Sequence, residues 1–176
     1  MNEEGFTLWF TGWSGSGKTT LAMAVEEELR KQGIKNIQRL DGDIVREDLT
    51  RDLGFSKEDR NENIRRVTFV AELLSKNGVV TLVSFISPYR EARDNARGRC
   101  WNFIEIFVKC DQDTLVSRDV KGLYKKAIRG EIEHFTGVSD PYEEPLHPEI
   151  VVDTSLQSIE ESRDAILTYL KEHELI

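Results

Sequence analysis

Gly12-Trp13-Ser14-Gly15-Ser16-Gly17-Lys18-Thr19 is the stretch on which the reading of this chain turns. It satisfies the pattern GxxxxGK[ST] in full, and it stands in the context that the pattern requires. Upstream, Phe6-Thr7-Leu8-Trp9-Phe10-Thr11 is a β-prone run; downstream, Leu21, Ala24, Val25 and Leu29 recur at helical spacing from Lys18 as far as Gly33. Strand, glycine-rich loop and helix follow one another. The glycines let the backbone curl until successive N–H groups and the helix N-terminus face one anion, with Lys18 reaching the β- and γ-phosphates of a nucleoside triphosphate. Thr19 is set to offer its hydroxyl to Mg2+.

Outward from this loop, strands and helices alternate. Ile37 to Leu40 is a short apolar run closed by Asp41-Gly42-Asp43, and Asp59 to Lys76 carries Ile64, Val67, Val70, Ala71 and Leu74 on one helical face before Asn77-Gly78 ends it. Val79-Val80-Thr81-Leu82-Val83 is continuously apolar, as befits a strand covered on both faces, and Phe103 to Val108 is a further strand. Pro88 to Arg99 between them reads as helix, as does the shorter Asp111 to Arg118. Lys121 to Pro145 is rich in Gly, Pro and charge with little periodicity, and reads as a mobile lid with its body over about 121–138. Ile150-Val151-Val152 is a last strand, and Ser158 to Lys171 a closing helix that opens on the capping box Ser158-x-x-Glu161. This order predicts an α/β three-layer sandwich of the P-loop NTPase type, with a parallel sheet of about five strands, helices on both faces and a lid. No linker or repeat marks a boundary, so 1–176 is expected to be one domain.

The 176 residues carry 24 Lys and Arg against 32 Asp and Glu, a net charge of -8. That balance argues against general affinity for nucleic acid or an anionic membrane, both of which act through excess cations. An anionic ligand must be held by a local site. No apolar run is long enough for a membrane span, and Met1-Asn2-Glu3-Glu4 has neither a basic nor an apolar export region, so a cytoplasmic location is expected. Cys100 and Cys110 show no metal-ligand spacing and read as reduced thiols.

What the triphosphate donates to is the next question. A signalling GTPase needs DxxG and, later, NKxD; Asp119-Val120-Lys121-Gly122 fits the first by letters, but no NKxD follows. A mechanical ATPase commonly ends a strand on an acidic residue, whereas Val79 to Val83 runs into Ser84-Phe85, so the carboxylate on the magnesium side must come from elsewhere. Asp41-Gly42-Asp43 brings two carboxylates to the carboxyl edge of the sheet, where open α/β sheets bind ligands. Either can orient Mg2+ through water or take the proton of an attacking hydroxyl. Arg46 lies one turn beyond, and Arg60, Asn63, Arg65 and Arg66 crowd the start of the long helix. Such cations beside a phosphate loop suit a doubly anionic acceptor.

With these residues in view, the chain resembles the adenylyl-sulfate kinases over nearly its whole length. Besides the phosphate loop, the resemblance rests on Leu40-Asp41-Gly42-Asp43-x-x-Arg46, Gly54-Phe55-Ser56-x-x-Asp59-Arg60-x-Glu62-Asn63-Ile64-Arg65-Arg66 and Ser84-x-Ile86-Ser87-Pro88-Tyr89-Arg90. Asp119-Val120-Lys121-Gly122-Leu123-Tyr124-Lys125-Lys126-Ala127, Phe135-Thr136-Gly137, Pro141-Tyr142-Glu143 and Asp153-Thr154 complete it.

The resemblance implies phosphorylation of the ribose 3′-hydroxyl of adenylyl sulfate by ATP, with Mg2+ as cofactor. It implies ATP binding by Gly12, Trp13, Ser14, Gly15, Ser16, Gly17, Lys18, Thr19 and Thr20, and Mg2+ held by Thr19 and Asp43. Phe55 and Phe135 would sandwich the adenine of adenylyl sulfate. Arg46, Arg60 and Asn63 would hold its phosphosulfate, with Asp41, Ile86, Ser87, Lys121 and Leu123 completing the pocket. Lys18 and Asp43 would be catalytic, Asp43 as base or magnesium organiser.

Ser87 stands at the position traditionally described in the family as a phosphoserine. No His or other base adjoins it in sequence, so the residues themselves suggest hydrogen bonding at the pocket floor instead. Trp13 and Ser16 replace the Leu and Ala usual in this loop, and Ile128-Arg129 departs from the usual lid. The resemblance further implies a homodimer and leaves open whether the chain acts alone or beside an ATP sulfurylase. The alternative within enzymes is another small P-loop kinase, for a nucleoside monophosphate or a hydroxylated metabolite. Outside enzymes, it is a nucleotide-binding switch that transfers nothing.

Overall fold

A computed structural model describes residues 5–119 and 121–176. Met1–Glu4, where no export region is expected, and Val120, just before the expected lid, lie outside them. Five parallel strands run in the order β2-β3-β1-β4-β5: β1 Thr7–Thr11, β2 Ile37–Asp41, β3 Val80–Ser84, β4 Phe103–Lys109 and β5 Ile150–Asp153. The glycine-rich strand-to-helix loop leaves the central strand, where Thr7 pairs with Thr81 on one side and Phe103 on the other.

The alternation of β1 builds two hydrophobic layers. Leu8 and Phe10 point to one face, packed with Leu21, Val25 and Leu29 of α1 (Lys18–Lys31) and Ile166 and Leu170 of α7 (Ile159–Glu172). Trp9 points to the other, against Ile64, Val67 and Ala71 of α3 (Lys57–Lys76) and Ala96 of α4 (Arg90–Arg99). All five residues of β1 are buried, and each apolar side chain taken fully from water contributes about 1.5–3 kcal/mol. The predicted sandwich with helices on both faces is what forms.

The differences from the sequence reading lie at element ends and in short pieces. Helix α3 starts two residues earlier than expected because Ser56 caps it, its hydroxyl accepting from the Asp59 N–H at 3.1 Å. Asp41-Gly42-Asp43 is more than a turn: Asp41 caps a short helix α2 (Gly42–Glu47), accepting from the Asp43 N–H at 3.1 Å. Helix α5 (Gln112–Arg118) is capped by Asp111, and the lid stretch contains α6 (Leu123–Ile128). Six residues are too few to display a period, but Tyr124 and Ala127 are buried with Leu115 and Phe135 in a cluster of their own. The capping box of Ser158 and Glu161 is present with both bonds made. Cys100 and Cys110 are both free thiols.

Candidate active site

The phosphate loop is braced from three sides. Gly12 holds φ at +155°, and a Cβ there would stand 2.4 Å from the Val108 carbonyl oxygen, so only glycine lets β1 turn out beside β4. Thr154, just after β5, donates its hydroxyl to the Ser16 carbonyl at 2.7 Å, and Tyr124 of α6 donates to the Ser14 carbonyl at 2.7 Å. Lys18 closes the loop from within, donating to the carbonyls of Gly12 at 2.9 Å and Trp13 at 2.7 Å. Burial pulls its ammonium down to about 7; Asp41 opposes that, Lys121 adds to it and Asp43 opposes it. A phosphate entering the loop would offer this cation an anionic partner in place of two carbonyls. Thr19 and Thr20 are exposed at the start of α1.

The two carboxylates expected together have separated roles. Asp41, anticipated in the acceptor pocket and, with Asp43, as one of two carboxylates able to orient Mg2+, accepts from the Thr19 hydroxyl at 2.6 Å. Asp43, anticipated beside Thr19 at the metal, instead pairs with Lys121 at 2.6 Å, both side chains largely exposed. The reason is local: with Asp41 as cap of α2, its side chain folds back over α1 while Asp43 projects from the first turn of the short helix. The structure thus places Asp41 beside the Thr19 hydroxyl, and Asp43, expected to share a metal with Thr19, beside Lys121. Hydroxyl and carboxylate oxygens suit Mg2+, which keeps several waters and takes few protein ligands. No cluster of three His, Cys, Asp or Glu side chains exists among the described residues to build a dedicated metal cage.

On the acceptor side the anticipated cationic cluster divides. Arg65 and Arg66 are surface groups, paired with Glu62 and, for Arg66, with Asp52. Arg46 and Arg60 turn inward, and neither is ion-paired among the described residues. Arg46 donates to the Gly54 carbonyl at 3.2 Å and lies 4.4 Å from the Phe55 ring centroid; Arg60 donates to the Phe55 carbonyl at 3.0 Å and the His134 carbonyl at 2.6 Å. Burial lowers both guanidiniums from their ordinary range, a cost that a bound anion would offset. Asn63 is buried, and its Oδ1 has no hydrogen-bond partner among the described residues.

The two expected stacking rings differ sharply. Phe55 is 53% exposed, as a ring waiting for a planar partner should be, whereas Phe135 is 8% exposed and packs edge-on against Tyr124 at 4.9 Å. Arg60 is the link between them, since it holds both Phe55 and the residue before Phe135. Leu123 is half-buried at the start of α6.

The pocket floor is locked. Ser87 is buried with φ at +42°; its hydroxyl donates to the Phe85 carbonyl at 3.2 Å and accepts from Trp9 Nε1 at 3.1 Å. Thr11 donates its hydroxyl to the Ile86 carbonyl at 2.8 Å. Among the described residues, the hydrogen-bond partners of the Ser87 hydroxyl are Trp9 Nε1 and the Phe85 carbonyl, and neither is a base.

The family model for adenylylsulphate kinase matches residues 4–153, most of the chain. The chain belongs to the adenylylsulphate kinase family. It is 62% identical over 167 residues to a probable adenylyl-sulfate kinase of Pseudomonas aeruginosa, covering 95% of this chain and 78% of that one. It is 56% identical over 171 residues to the adenylyl-sulfate kinase of Halothermothrix orenii, covering 97% and 92%. Among solved structures, the Mycobacterium tuberculosis APS kinase CysC in complex with AMPPNP and APS superposes with a TM-score of 0.89 at 44% identity, over 96% of this chain and 98% of that one. The present chain is thus a kinase that uses ATP through its phosphate loop.

Three side chains of this adenylylsulphate kinase domain were not singled out by sequence reasoning. Arg118, at the end of α5, donates to the Thr154 carbonyl at 2.6 Å and so ties β5 to the phosphate loop through Thr154. Arg93 is fully buried, donating to Glu105 at 2.8 Å, the Ser87 carbonyl at 2.6 Å and the Glu143 carbonyl at 2.6 Å. Tyr142 shares a hydrogen bond of 2.8 Å with Thr11 and stacks on Phe107. The available signals were Arg118 directly before the Asp119 string and Tyr142 inside Pro141-Tyr142-Glu143. Arg93 had none, because nothing in its own neighbourhood announces a buried partner twelve residues on.

Proposed function

We propose that this kinase transfers the γ-phosphoryl group of ATP to the ribose 3′-hydroxyl of adenylyl sulfate, giving 3′-phosphoadenylyl sulfate and ADP in sulfate activation. The observation that carries this reading is the pair Arg46 and Arg60, inward-facing, without carboxylate partners among the described residues, flanking the exposed Phe55 ring. Two guanidiniums and one aromatic face suit a phosphosulfate joined to a purine. Helix α2 connects the two halves, with Asp41 touching Thr19 at its start and Arg46 on its last turn. Asn63, with an unused carbonyl oxygen, would accept a hydrogen bond from the acceptor.

Phosphoryl transfer asks the protein for positioning and charge neutralisation more than for covalent chemistry. In this reading Lys18 leaves the Gly12 and Trp13 carbonyls for the β- and γ-phosphates. Asp43 accepts the proton of the 3′-hydroxyl or orders the water that does so, once released from Lys121. Mg2+, held through Thr19 and Asp41, would neutralise charge between the β- and γ-phosphates. The stretch 121–138 would close over both nucleotides and exclude water.

The proposal extends to setting: one kinase domain spanning the chain, acting as a homodimer in the cytoplasm. No helix among the described residues is long and apolar enough to cross a membrane, which is compatible with that setting. The test of substrate is ADP formation from MgATP with adenylyl sulfate, with AMP and with no acceptor, the nucleotide products identified by mass. A 3′-phosphorylated product from adenylyl sulfate alone is expected. Equal ADP in all three would mean a bare ATPase, and activity with AMP alone a nucleoside monophosphate kinase.

A further inference from the structure

The loop from Phe85 to Pro88, between β3 and α4, has its carbonyls engaged one after another. That of Phe85 accepts from the Ser87 hydroxyl at 3.2 Å, that of Ile86 from the Thr11 hydroxyl at 2.8 Å and that of Ser87 from Arg93 Nη1 at 2.6 Å. The Pro88 carbonyl accepts from the Glu143 N–H at 2.8 Å. By contrast, the N–H groups of Ile86 and Ser87 have no acceptor among the described residues. Ser87 is buried, where an unpaired N–H is costly. The peptide bonds are trans, so a C=O and the N–H that follows it point to opposite edges of one plane. Fixing the Phe85 and Ile86 carbonyls therefore fixes where the Ile86 and Ser87 N–H groups point. Ser87 holds φ at +42°, and successive N–H groups in such a turn form a concavity suited to an anion.

The surroundings say which anion. Phe85 packs on Gly42 at the start of α2, where a Cβ would meet its ring at 3.5 Å, and the Tyr89 ring lies 5.2 Å from Lys57 Nζ at the start of α3. Those two helices carry Arg46 and Arg60. The loop thus stands between the helices of the acceptor side.

A chain of hydroxyls holds the loop from behind. A carbonyl only accepts, so the single proton of the Thr11 hydroxyl is committed to Ile86. The 2.8 Å bond between Thr11 and Tyr142 then has Tyr142 as its donor. Tyr142 is itself fixed, stacked on Phe107 at 6.0 Å with the Arg93 guanidinium 5.7 Å from its ring, and burial keeps its phenol protonated well above the ordinary range. Thr11 is fully buried at the end of β1, and its hydroxyl bonds go to this loop and to Tyr142, not to the phosphate loop that follows it.

We propose that Thr11 is a positioning residue for the acceptor: by relaying the hydrogen bond of Tyr142 to the Ile86 carbonyl, it aims the Ile86 and Ser87 N–H groups at the phosphosulfate. Two N–H dipoles held in place add to the charges of Arg46 and Arg60 with little left to order on binding. The inference rests on reading the Arg46 and Arg60 pocket as the acceptor site.

The test is equilibrium binding of adenylyl sulfate and, separately, of Mg-AMPPNP to the native chain, Thr11→Val, Thr11→Ser, Tyr142→Phe and the Thr11→Val, Tyr142→Phe double variant. Thr11→Val keeps the shape and removes the hydroxyl; it should weaken adenylyl sulfate by roughly 10–100-fold, the range for hydrogen bonds to a charged group, and leave Mg-AMPPNP within about twofold. Thr11→Ser should restore near-native affinity. Tyr142→Phe should cost roughly 2–10-fold, and the double variant no more than Thr11→Val alone, because the two hydroxyls act in series. Thr11 adjoins Gly12, so a Thr11 that only supported the fold would weaken Mg-AMPPNP at least as much as adenylyl sulfate, and that result overturns the proposal. If Thr11→Val does not fold, native adenylyl sulfate affinity in Tyr142→Phe overturns it equally. Tight binding of adenylyl sulfate by the native chain with no selective loss in the variants removes this proposal alone, whereas failure of the native chain to bind adenylyl sulfate removes the acceptor reading and this proposal together.

Discussion

Thr19 and Asp41 share a hydroxyl-to-carboxylate hydrogen bond of 2.6 Å across 22 residues of sequence. Through it, the end of β2 supplies the acidic group that β3, running into Ser84-Phe85, does not carry. Both oxygens of Asp41 are engaged, the other by the Asp43 N–H. Asp41→Asn keeps the shape and removes the charge that would order Mg2+. Activity should fall on the order of 10–100-fold, with the Mg2+ concentration for half-maximal rate raised. A magnesium titration of kcat on the variant checks this, and an unchanged titration curve would return the role to Asp43.

Asp43 and Lys121 make an exposed ion pair that is opened at little cost, as such surface pairs contribute little to folding. Asp43→Ala should therefore leave thermal stability and Mg-AMPPNP affinity nearly native while turnover drops by roughly 10²–10⁴-fold, the range for losing a positioned general base. Steady-state kinetics beside a binding titration separates the two quantities. A parallel loss of nucleotide affinity would show that Asp43 grips ATP and does not act on the acceptor.

The Ser87 hydroxyl is hydrogen-bonded on both sides, and among the described residues neither partner is a base that would activate a nucleophile. Ser87→Ala should lower turnover by no more than about tenfold, with a stability loss of about 1–3 kcal/mol for leaving Trp9 Nε1 unsatisfied. Single-turnover transfer from radiolabelled ATP, together with a denaturant melt, measures both. Complete loss of transfer in a folded variant would establish a covalent step at this hydroxyl.

Arg93 and Glu105 form the most buried ion pair among the described residues, with side chains 2% and 8% exposed. Removing one partner of a buried pair costs about 3–5 kcal/mol; here Glu105 keeps its 3.2 Å contact with Arg97, so the loss for Arg93→Ala is expected at the lower end of that range. Arg93→Ala also strips donors from the Ser87 and Glu143 carbonyls, so the pocket floor and the start of the segment after the lid loosen together. The urea midpoint should fall sharply and KM for the acceptor should rise before that for ATP. Arg93→Lys, which cannot reach three acceptors, should recover only part of either.

The fold was legible because its signals are local and repeated. One strand, the glycine loop and the helix after it define the central unit, and the run Val79 to Val83 has the composition of a strand covered on both faces. The cationic acceptor side was legible as composition, but its division was not: Arg60 and Arg66 lie six residues apart on one helix, and only tertiary packing sends the first inward and the second to Asp52. Which carboxylate stands beside Thr19 was illegible for the same reason. Asp41 and Asp43 look equivalent in sequence, and the distinction arises from a cap on a helix too short to show a period. Arg93 was invisible because a buried guanidinium has no signature apart from its partners. Phe55 and Phe135 read alike as aromatic faces, and only their burial sets them apart.

Lys18 supplies a prediction about pH. In the free protein its ammonium is lowered to about 7, chiefly by burial. The phosphates of bound ATP favour the charged form, so the bound state has the higher pKa and holds more proton on Lys18 above pH 7. Affinity for Mg-AMPPNP is therefore full below about 7 and declines as pH rises through that value, until the pKa of the bound state is reached. Titration calorimetry at pH 8 in buffers of different ionisation enthalpy should report net proton uptake on binding, shrinking towards zero at pH 6. The same experiment on Asp41→Asn, which removes the main charge opposing the shift, should begin the decline at lower pH. Absence of proton uptake at pH 8, with affinity flat through pH 7, would show that Lys18 is already charged before the nucleotide binds.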